Sequence, residues 1–302
     1  RDDRRLDQAR ADARHGAGVT AGAALDAARV GRDGALKLRF ERRGPATVVA
    51  GCRYTLPLQV LAPVALDDPA AIVSILNPTG GLVGGDRLSI DVHVAAGAHA
   101  VLTTPSATRV YRTAGEPTVQ AVRLSVGPRA VVEWVPDHTI PFAGSALRQT
   151  IDVVLEETAG LILVDAFSAG RIALGEAWRF DVLESAVSVR DPRGWLLHDR
   201  FVLRGRAGHQ GFDGLGFAES HPYFASIAII GAFDAGRLAA DVERLGADGG
   251  AASLGVAVLP RGGALVRCLA PTAPALIDAI EGCWRIGRGA LLGLPPLALR
   301  KG

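Results

Sequence analysis

Leu36-Lys37-Leu38-Arg39-Phe40-Glu41 alternates an apolar with a charged side chain at every step. A period of two is the spacing of a strand with one buried and one wet face, because successive Cβ atoms point to opposite sides of a sheet. The same alternation, or a short apolar run bounded by turn residues, recurs at 71–76, 87–94, 98–103, 119–126, 130–135, 149–155, 161–166, 177–189, 195–203, 254–259 and 264–269. Gly80-Gly81, Gly84-Gly85, Ala96-Gly97, Gly127-Pro128 and Gly262-Gly263 punctuate these runs as turns. More than ten short strands with so little helix between them predict a mainly β body and exclude a βαβ chain. A parallel β-helix, a sandwich and stacked sheets all satisfy the pattern, and no fixed-period repeat selects among them.

Helix is predicted only late, in two segments. One is 235–245 (AGRLAADVERL) and the other is 274–292. Thr272 is placed to cap the second, Pro274 suits its first turn, and Gly293 followed by Leu294-Pro295-Pro296 ends it. Ile277, Ile280, Trp284 and Leu291 fall on one face at helical spacing, the face expected to pack on the β body. Residues 1–33, rich in Arg, Asp and Ala, are expected to be a mobile charged tail. Residues 34–302 are expected to form a single β domain carrying the two helices.

The 302 residues are 49% hydrophobic and 21% charged, enough apolar surface for a sizeable core. A net charge of only +2 lacks the electrostatic footprint of a nucleic-acid binder. Lys37 and Lys301 are the two lysines, so no interior lysine exists to meet a nucleotide phosphate or form a Schiff base. The longest apolar run, 224–233, is far short of the ~20 residues of a membrane span. Neither nucleic acid nor a membrane is therefore an expected partner. Cys52, Cys268 and Cys283 are far apart and odd in number, which predicts buried free thiols and a reducing, cytoplasmic setting.

The densest glycine segment, Asn77-Pro78-Thr79-Gly80-Gly81-Leu82-Val83-Gly84-Gly85-Asp86, invites reading as a phosphate cradle. A carboxylate stands where such a loop needs a lysine, and a strand pattern follows where it needs a helix. The segment reads instead as a strand–loop–strand connection. GxSxG and HExxH are both absent, and Asp137-His138 lies in a Trp-Val-Pro-Asp-His-Thr-Ile-Pro connection that builds no preformed metal centre. No catalytic residue and no tightly bound cofactor are expected.

Acids inside apolar strands carry more information. Asp165 lies in Leu161-Ile162-Leu163-Val164-Asp165-Ala166-Phe167, and Asp199 in Trp195-Leu196-Leu197-His198-Asp199-Arg200-Phe201. An unpaired buried carboxylate costs several kcal/mol, so each must be paired, face solvent or line a wet interior. Arg171 and Arg200 are the expected pairing partners. With Asp86 and the hydroxyl of Thr108, these acids define a candidate polar passage, and carboxylates with water suit transient handling of a divalent cation. In the polar segment 103–112, Arg109, Tyr111 and Arg112 are candidate interface residues, because Arg and Tyr are enriched at protein interfaces.

Three longer pieces then carry a resemblance. NPTGGLVGGD (77–86), TTPSATRVYR (103–112) and EWVPDHTIPFAGS (133–145) are similar to the urease accessory protein family UreD, also called UreH. AGR at 169–171, Gly175-Glu176, LLHDRFVL at 196–203 and LLGLPP at 291–296 follow in the same order. The family often has Gln-Glu or Gln-Asp at positions 137–138 and glutamate at 199. The resemblance implies a largely β fold, helix-like in its sheet winding, with a pair of α-helices. It implies a non-catalytic maturation factor for urease, the nickel enzyme that hydrolyses urea. Such a factor binds UreF and through it the GTPase UreG, docks on apo-urease, and offers a water-filled passage to Ni²⁺ in transit. The rival from the residues alone is a carbohydrate-active enzyme on a β-helical scaffold, using Asp137, Asp165 or Asp199. Its groove needs aromatic side chains, which make up 5% of the chain. An arginine-rich RNA-binding module is a third reading.

Overall fold

The computed structural model describes residues 32–63, 66, 68–205 and 218–299. The expected tail lies outside these residues apart from Arg32 and Asp33, and Asp33 opens the first strand. Strands β1 (Asp33–Arg43) and β2 (Ala46–Tyr54) pair antiparallel, and the short β3 (Gln59–Val60) pairs with β4 (Ala71–Leu76). From β4 the chain alternates between two sheets. It enters the first sheet in β5 (Arg87–Val94), the second in β6 (His99–Thr103), and returns through the short β7 (Thr108–Val110) to β8 (Thr118–Val126) in the first. The next coils are β9 (Val131–Trp134) in the second sheet, β10 (Thr139–Pro141) beside β7, β11 (Ala146–Leu155) in the first, β12 (Gly160–Ser168) in the second and β13 (Val182–Asp191) in the first. Neighbouring coils pair in parallel. Strands β14 (Gly194–Leu203), β15 (Tyr223–Ile230), β16 (Ser253–Val258) and β17 (Ala264–Ala270) extend both sheets antiparallel.

The fold is thus a β-solenoid-like stack of two sheets. Arg87 sits opposite Val119, Val119 opposite Arg148, and Arg148 opposite Glu184, so successive coils take 32, 29 and 36 residues. Unequal coils explain why no fixed period is visible in the sequence. The expected strand at 177–189 begins only at Val182, because 177–181 turns, with Trp178 at φ 60°.

Two cores follow from the layering. Leu36, Leu38, Phe40, Leu88, Ile90, Val122, Leu124, Ile151, Val153, Leu161 and Leu163 fill the space between the sheets. The far side of the second sheet, with Ile162, Val164, Ile227, Ile229 and Val266, packs on the helices through Leu238, Val242, Leu276 and Cys283. The first sheet keeps a wet outer face, which is why β5, β8 and β11 alternate. The middle strands of the second sheet are covered on both faces. Every residue of β12 is buried, and the apolar run at 224–233 is largely the equally covered β15.

Helix α1 (Ala235–Ala247) is capped by Asp234, whose carboxylate accepts from the Arg237 N–H at 3.0 Å. Helix α2 (Ala273–Leu292) is capped as expected by Thr272, and Gly293 ends it at φ 63°. Of the expected face, Trp284 is buried and Ile280 and Leu291 pack partly buried against the helix-side core. Ala275, Leu276, Ala279, Gly282, Cys283, Trp284, Gly287 and Arg288 are buried, whereas Ile277 is 41% exposed. Small residues decide this. A Cβ at Gly282 would meet Leu245 of α1 at 2.6 Å, and one at Gly287 would meet Ile229 at 3.0 Å, so the glycine side is the one that can approach its neighbours. Of the expected buried thiols, Cys268 and Cys283 are buried, their thiols raised to about 12 chiefly by burial, while Cys52 on β2 is exposed. No helix among the described residues is long and apolar enough to cross a membrane.

Candidate functional site

Inward positions of a half-buried strand are normally apolar, and here one row is not. Gln120 on β8, Gln149 on β11 and Ser185 on β13 stand opposite one another on the inner face of the first sheet. Facing them, Asp165 points inward from β12, in step with Leu161 and Leu163. Gln120 Nε2 donates to Gln149 Oε1 at 2.9 Å, Gln149 Nε2 donates to Asp165 Oδ1 at 2.8 Å, and the Ser185 hydroxyl donates to Asp165 Oδ2 at 2.7 Å. Among the described residues, the direct partners of this carboxylate are an amide and a hydroxyl. Burial pushes the Asp165 carboxyl up to about 6, against the pull of the Ser185 and Gln149 hydrogen bonds, with Asp199 adding to the rise and Arg267 opposing it.

Asp165 and Thr108 line one cavity, together with Gln120, Gln149, Thr103, Thr104, Trp134, Asp137 and Thr139. It offers about 70 Å³ to the centres of water molecules, room for a few waters at roughly 10–15 Å³ each. Hydroxyl, amide and carboxylate groups in its lining, set among apolar side chains such as Leu82, Ile90 and Leu102, suit it to water and to a hard cation's hydration shell.

Asp199 also faces inward, from β14, but it stands opposite Val187, one row from Ser185, and does not line the cavity. Arg267 donates to its two oxygens at 2.8 and 2.6 Å and also donates to the Ser226 hydroxyl. Ser226 is the register partner of Asp165 and Arg267 that of Ser226, so the polar row runs from the cavity across β15 to the outer strands. The expected partners are both engaged elsewhere. Arg171 binds Glu176, Nε to Oε2 at 2.8 Å, holding that carboxyl below its ordinary value, and Arg200 binds Glu184 at 2.6 Å. Sequence proximity misled here, because cross-strand and cross-sheet neighbours decide pairing in a coil.

Asp86 is buried yet turns back on its own loop, where Oδ2 accepts the Val83 N–H at 2.8 Å and Thr118 donates to the Val83 carbonyl at 2.8 Å. Burial raises its carboxyl, while the Val83 hydrogen bond and Arg32 draw it down. The glycine-rich loop it closes joins strands of opposite sheets and lies along Arg109 and Tyr111. A Cβ at Gly81 would strike the Arg109 carbonyl at 2.6 Å and the Tyr111 ring at 2.7 Å. Tyr111 donates to the Gly80 carbonyl at 3.1 Å and meets Phe142 edge-on at 5.2 Å. Arg171 lies over the other aromatic of this pair, 4.1 Å from the Phe142 centroid. Arg109 and Arg112 are exposed beside this cluster and Tyr111 is half-buried.

One buried acid, Glu133, escaped the sequence reading. Glu133, fully buried, points from β9 toward α2. It accepts from Arg288 Nη1 at 2.7 Å and from the Trp284 indole, and His99 Nε2 lies 2.6 Å away. Arg288, also fully buried, binds Asp68 with its other arm and the Pro295 carbonyl with Nε at 3.1 Å. The signal was present: Glu133 interrupts Val131-Val132-Glu133-Trp134 much as Asp165 interrupts β12. Among the described residues no group of three His, Cys, Asp or Glu is placed to hold a metal ion.

Comparison with known proteins agrees over nearly the whole chain. Residues 32–301 match the family described as UreD urease accessory protein. The urease accessory protein UreD of Pseudomonas fluorescens (strain Pf0-1) is 34% identical over 269 residues, 86% of this chain and 92% of that protein. That of Alkalilimnicola ehrlichii is 32% identical over 87% of this chain and 88% of its own length. That of Delftia acidovorans is 38% identical over 185 residues, which span 61% of this chain and 59% of that protein. With its two-sheet coil, its late helices and this match in hand, the chain belongs to the UreD urease accessory protein family.

Proposed function

We propose that this chain is a non-catalytic scaffold of urease maturation that holds UreF and the GTPase UreG against apo-urease and passes Ni²⁺ inward. Family membership supports the role in urease maturation. The observation that carries the finer reading is the cavity between the sheets, which Asp165 and Thr108 both line. Two carboxylates, Asp165 and Asp137, amid neutral oxygens attract a cation while giving it too few charged ligands to retain it. Nickel is cargo in this scheme, moving from partner to urease by way of Asp165 and the polar row that ends at Asp199. Arg109, Tyr111 and Arg112, steadied by the glycine-rich loop, supply part of the docking surface.

The test is the double variant Asp165→Ala with Asp199→Ala, co-expressed with urease and the other accessory proteins. It is expected to fold and to co-purify with UreF, while the urease produced contains several-fold less nickel by elemental analysis. Urease with its full nickel content would refute the route. Failure of the unmodified chain to co-purify with UreF would refute the scaffold.

A further inference from the structure

The two sheets do not end together. The first stops at β14, while the second runs on through β15 and β17 to β16. Asp199 of β14 reaches Arg267 of β17, so these two strands face one another and β16 projects past them. Gly255 of β16 is the register partner of Arg267 and is exposed, and a Cβ there would meet nothing within 4 Å. On its outer side, then, Arg267 borders open space. The gap between the sheets has a side mouth here, and the Arg267–Asp199 pair spans it.

Inward from the mouth the row runs Arg267, Ser226, Asp165, one residue on each of three adjacent strands. Register partners stand roughly 5 Å apart across an antiparallel pair, so one hydroxyl separates the guanidinium from the cavity carboxylate. Arg267 donates to that hydroxyl and, across the sheets, to both oxygens of Asp199 at 2.8 and 2.6 Å. Both charges are felt at Asp165, whose carboxyl Asp199 raises and Arg267 draws down. The Asp199 side chain is 15% exposed and that of Arg267 51%. An ion pair this wet holds loosely. The guanidinium can therefore swing into solvent without disturbing a strand.

We propose that Arg267 is a latch on this side mouth, closed on Asp199 and open when its guanidinium swings into solvent. Closed, it sets a positive charge in the path of a cation, which like charge repels, and occupies both oxygens of Asp199. Open, it leaves Asp199 as the outermost carboxylate of a polar row that leads past Ser226 to Asp165. The latch rests on the reading of the Asp165 cavity as a place for a divalent cation, and it names the residue that admits one.

The experiment uses the full chain, isotope-labelled for NMR, with Mn²⁺ as the probe, because a paramagnetic ion broadens the signals of groups close to it. Arg267→Gln with Asp199→Asn removes both charges with little change of shape. In this variant the side-chain amide signals of Gln149 and Gln120, which line the cavity, are expected to broaden several-fold more than in the native chain at the same Mn²⁺ concentration. The backbone signals of β5 should stay where they are, reporting an intact fold. Adding Asp165→Asn should return the broadening to the native level. Equal broadening at Gln149 in native and variant chains would overturn the latch while leaving the cavity a cation site. No broadening at Gln149 in either chain would overturn the cation reading and the latch with it.

Discussion

Glu133 and Asp165 are buried carboxylates on adjacent strands of one sheet, and they have opposite surroundings. Glu133 points outward, beneath α2, into a charged cluster with Arg288, His99 and the Trp284 indole. Asp165 points inward, held by a glutamine and a serine at the edge of a cavity with room for water. A carboxylate matched to a guanidinium in a dry place fixes one helix on one sheet. A carboxylate given only neutral partners beside water stays chemically uncommitted. The difference separates an anchor from a candidate working group, although both interrupt apolar runs in the same way.

The comparison breaks most visibly at the anchor. Removing one partner of a buried ion pair leaves the other unpaired, so Glu133→Ala and Arg288→Ala are each expected to cost about 3–5 kcal/mol. In urea unfolding, Glu133→Leu with Arg288→Met should lose much less than the sum of the single variants. Additive losses would mean the two groups do not act as a pair.

Asp165 should behave the other way. Its carboxyl stands near 6 in the fold against an ordinary 3.8, so the folded state holds the proton more tightly than the unfolded state. Stability is then greatest below about pH 4 for this group and falls as pH rises toward 6. Above that the loss is complete, about 3 kcal/mol. Asp165→Asn is therefore expected to be about 3 kcal/mol more stable than the native chain at pH 8 and equal to it near pH 4. A variant less stable at pH 8 would show that the carboxylate is structural after all.

Smaller effects sharpen the contrast. Thr272→Ala removes the cap of the helix that carries Arg288 and should cost about 1 kcal/mol in thermal or urea unfolding. Asp199→Asn breaks a pair whose arginine is half-exposed and should cost less than about 1 kcal/mol. It should also move the pH midpoint of Asp165 downward, because Asp199 helps to raise that carboxyl. A midpoint that stays put would place Asp199 outside the electrostatic row.

Much of the fold was legible because strand alternation survives wherever one face is wet. Residues 87–94 were read to the residue as β5, and the second helix was found from its cap and its stop. The two-sided burial of β15 hid that strand, since a run without alternation gives no period to read. Asp165 and Asp199 stood out because a charge in an apolar run must be explained, and of the two only Asp165 lines the cavity. Gln120, Gln149 and Ser185 did not, because a neutral polar side chain in a strand is unremarkable until its inward direction is known. The pairing of Asp199 with Arg267 could not be read either, since it depends on which strands of the two sheets come together.

The reach of Arg288 also orders events in time. It neutralises an acid 155 positions earlier in the chain, whereas each solenoid coil finds its neighbour within a few dozen residues. During synthesis the coils can therefore stack as they emerge, yet Glu133 goes without this counter-ion until Arg288 has left the ribosome. A chain cut just before Arg288 carries every coil and still lacks the guanidinium that lets its second sheet close over dry.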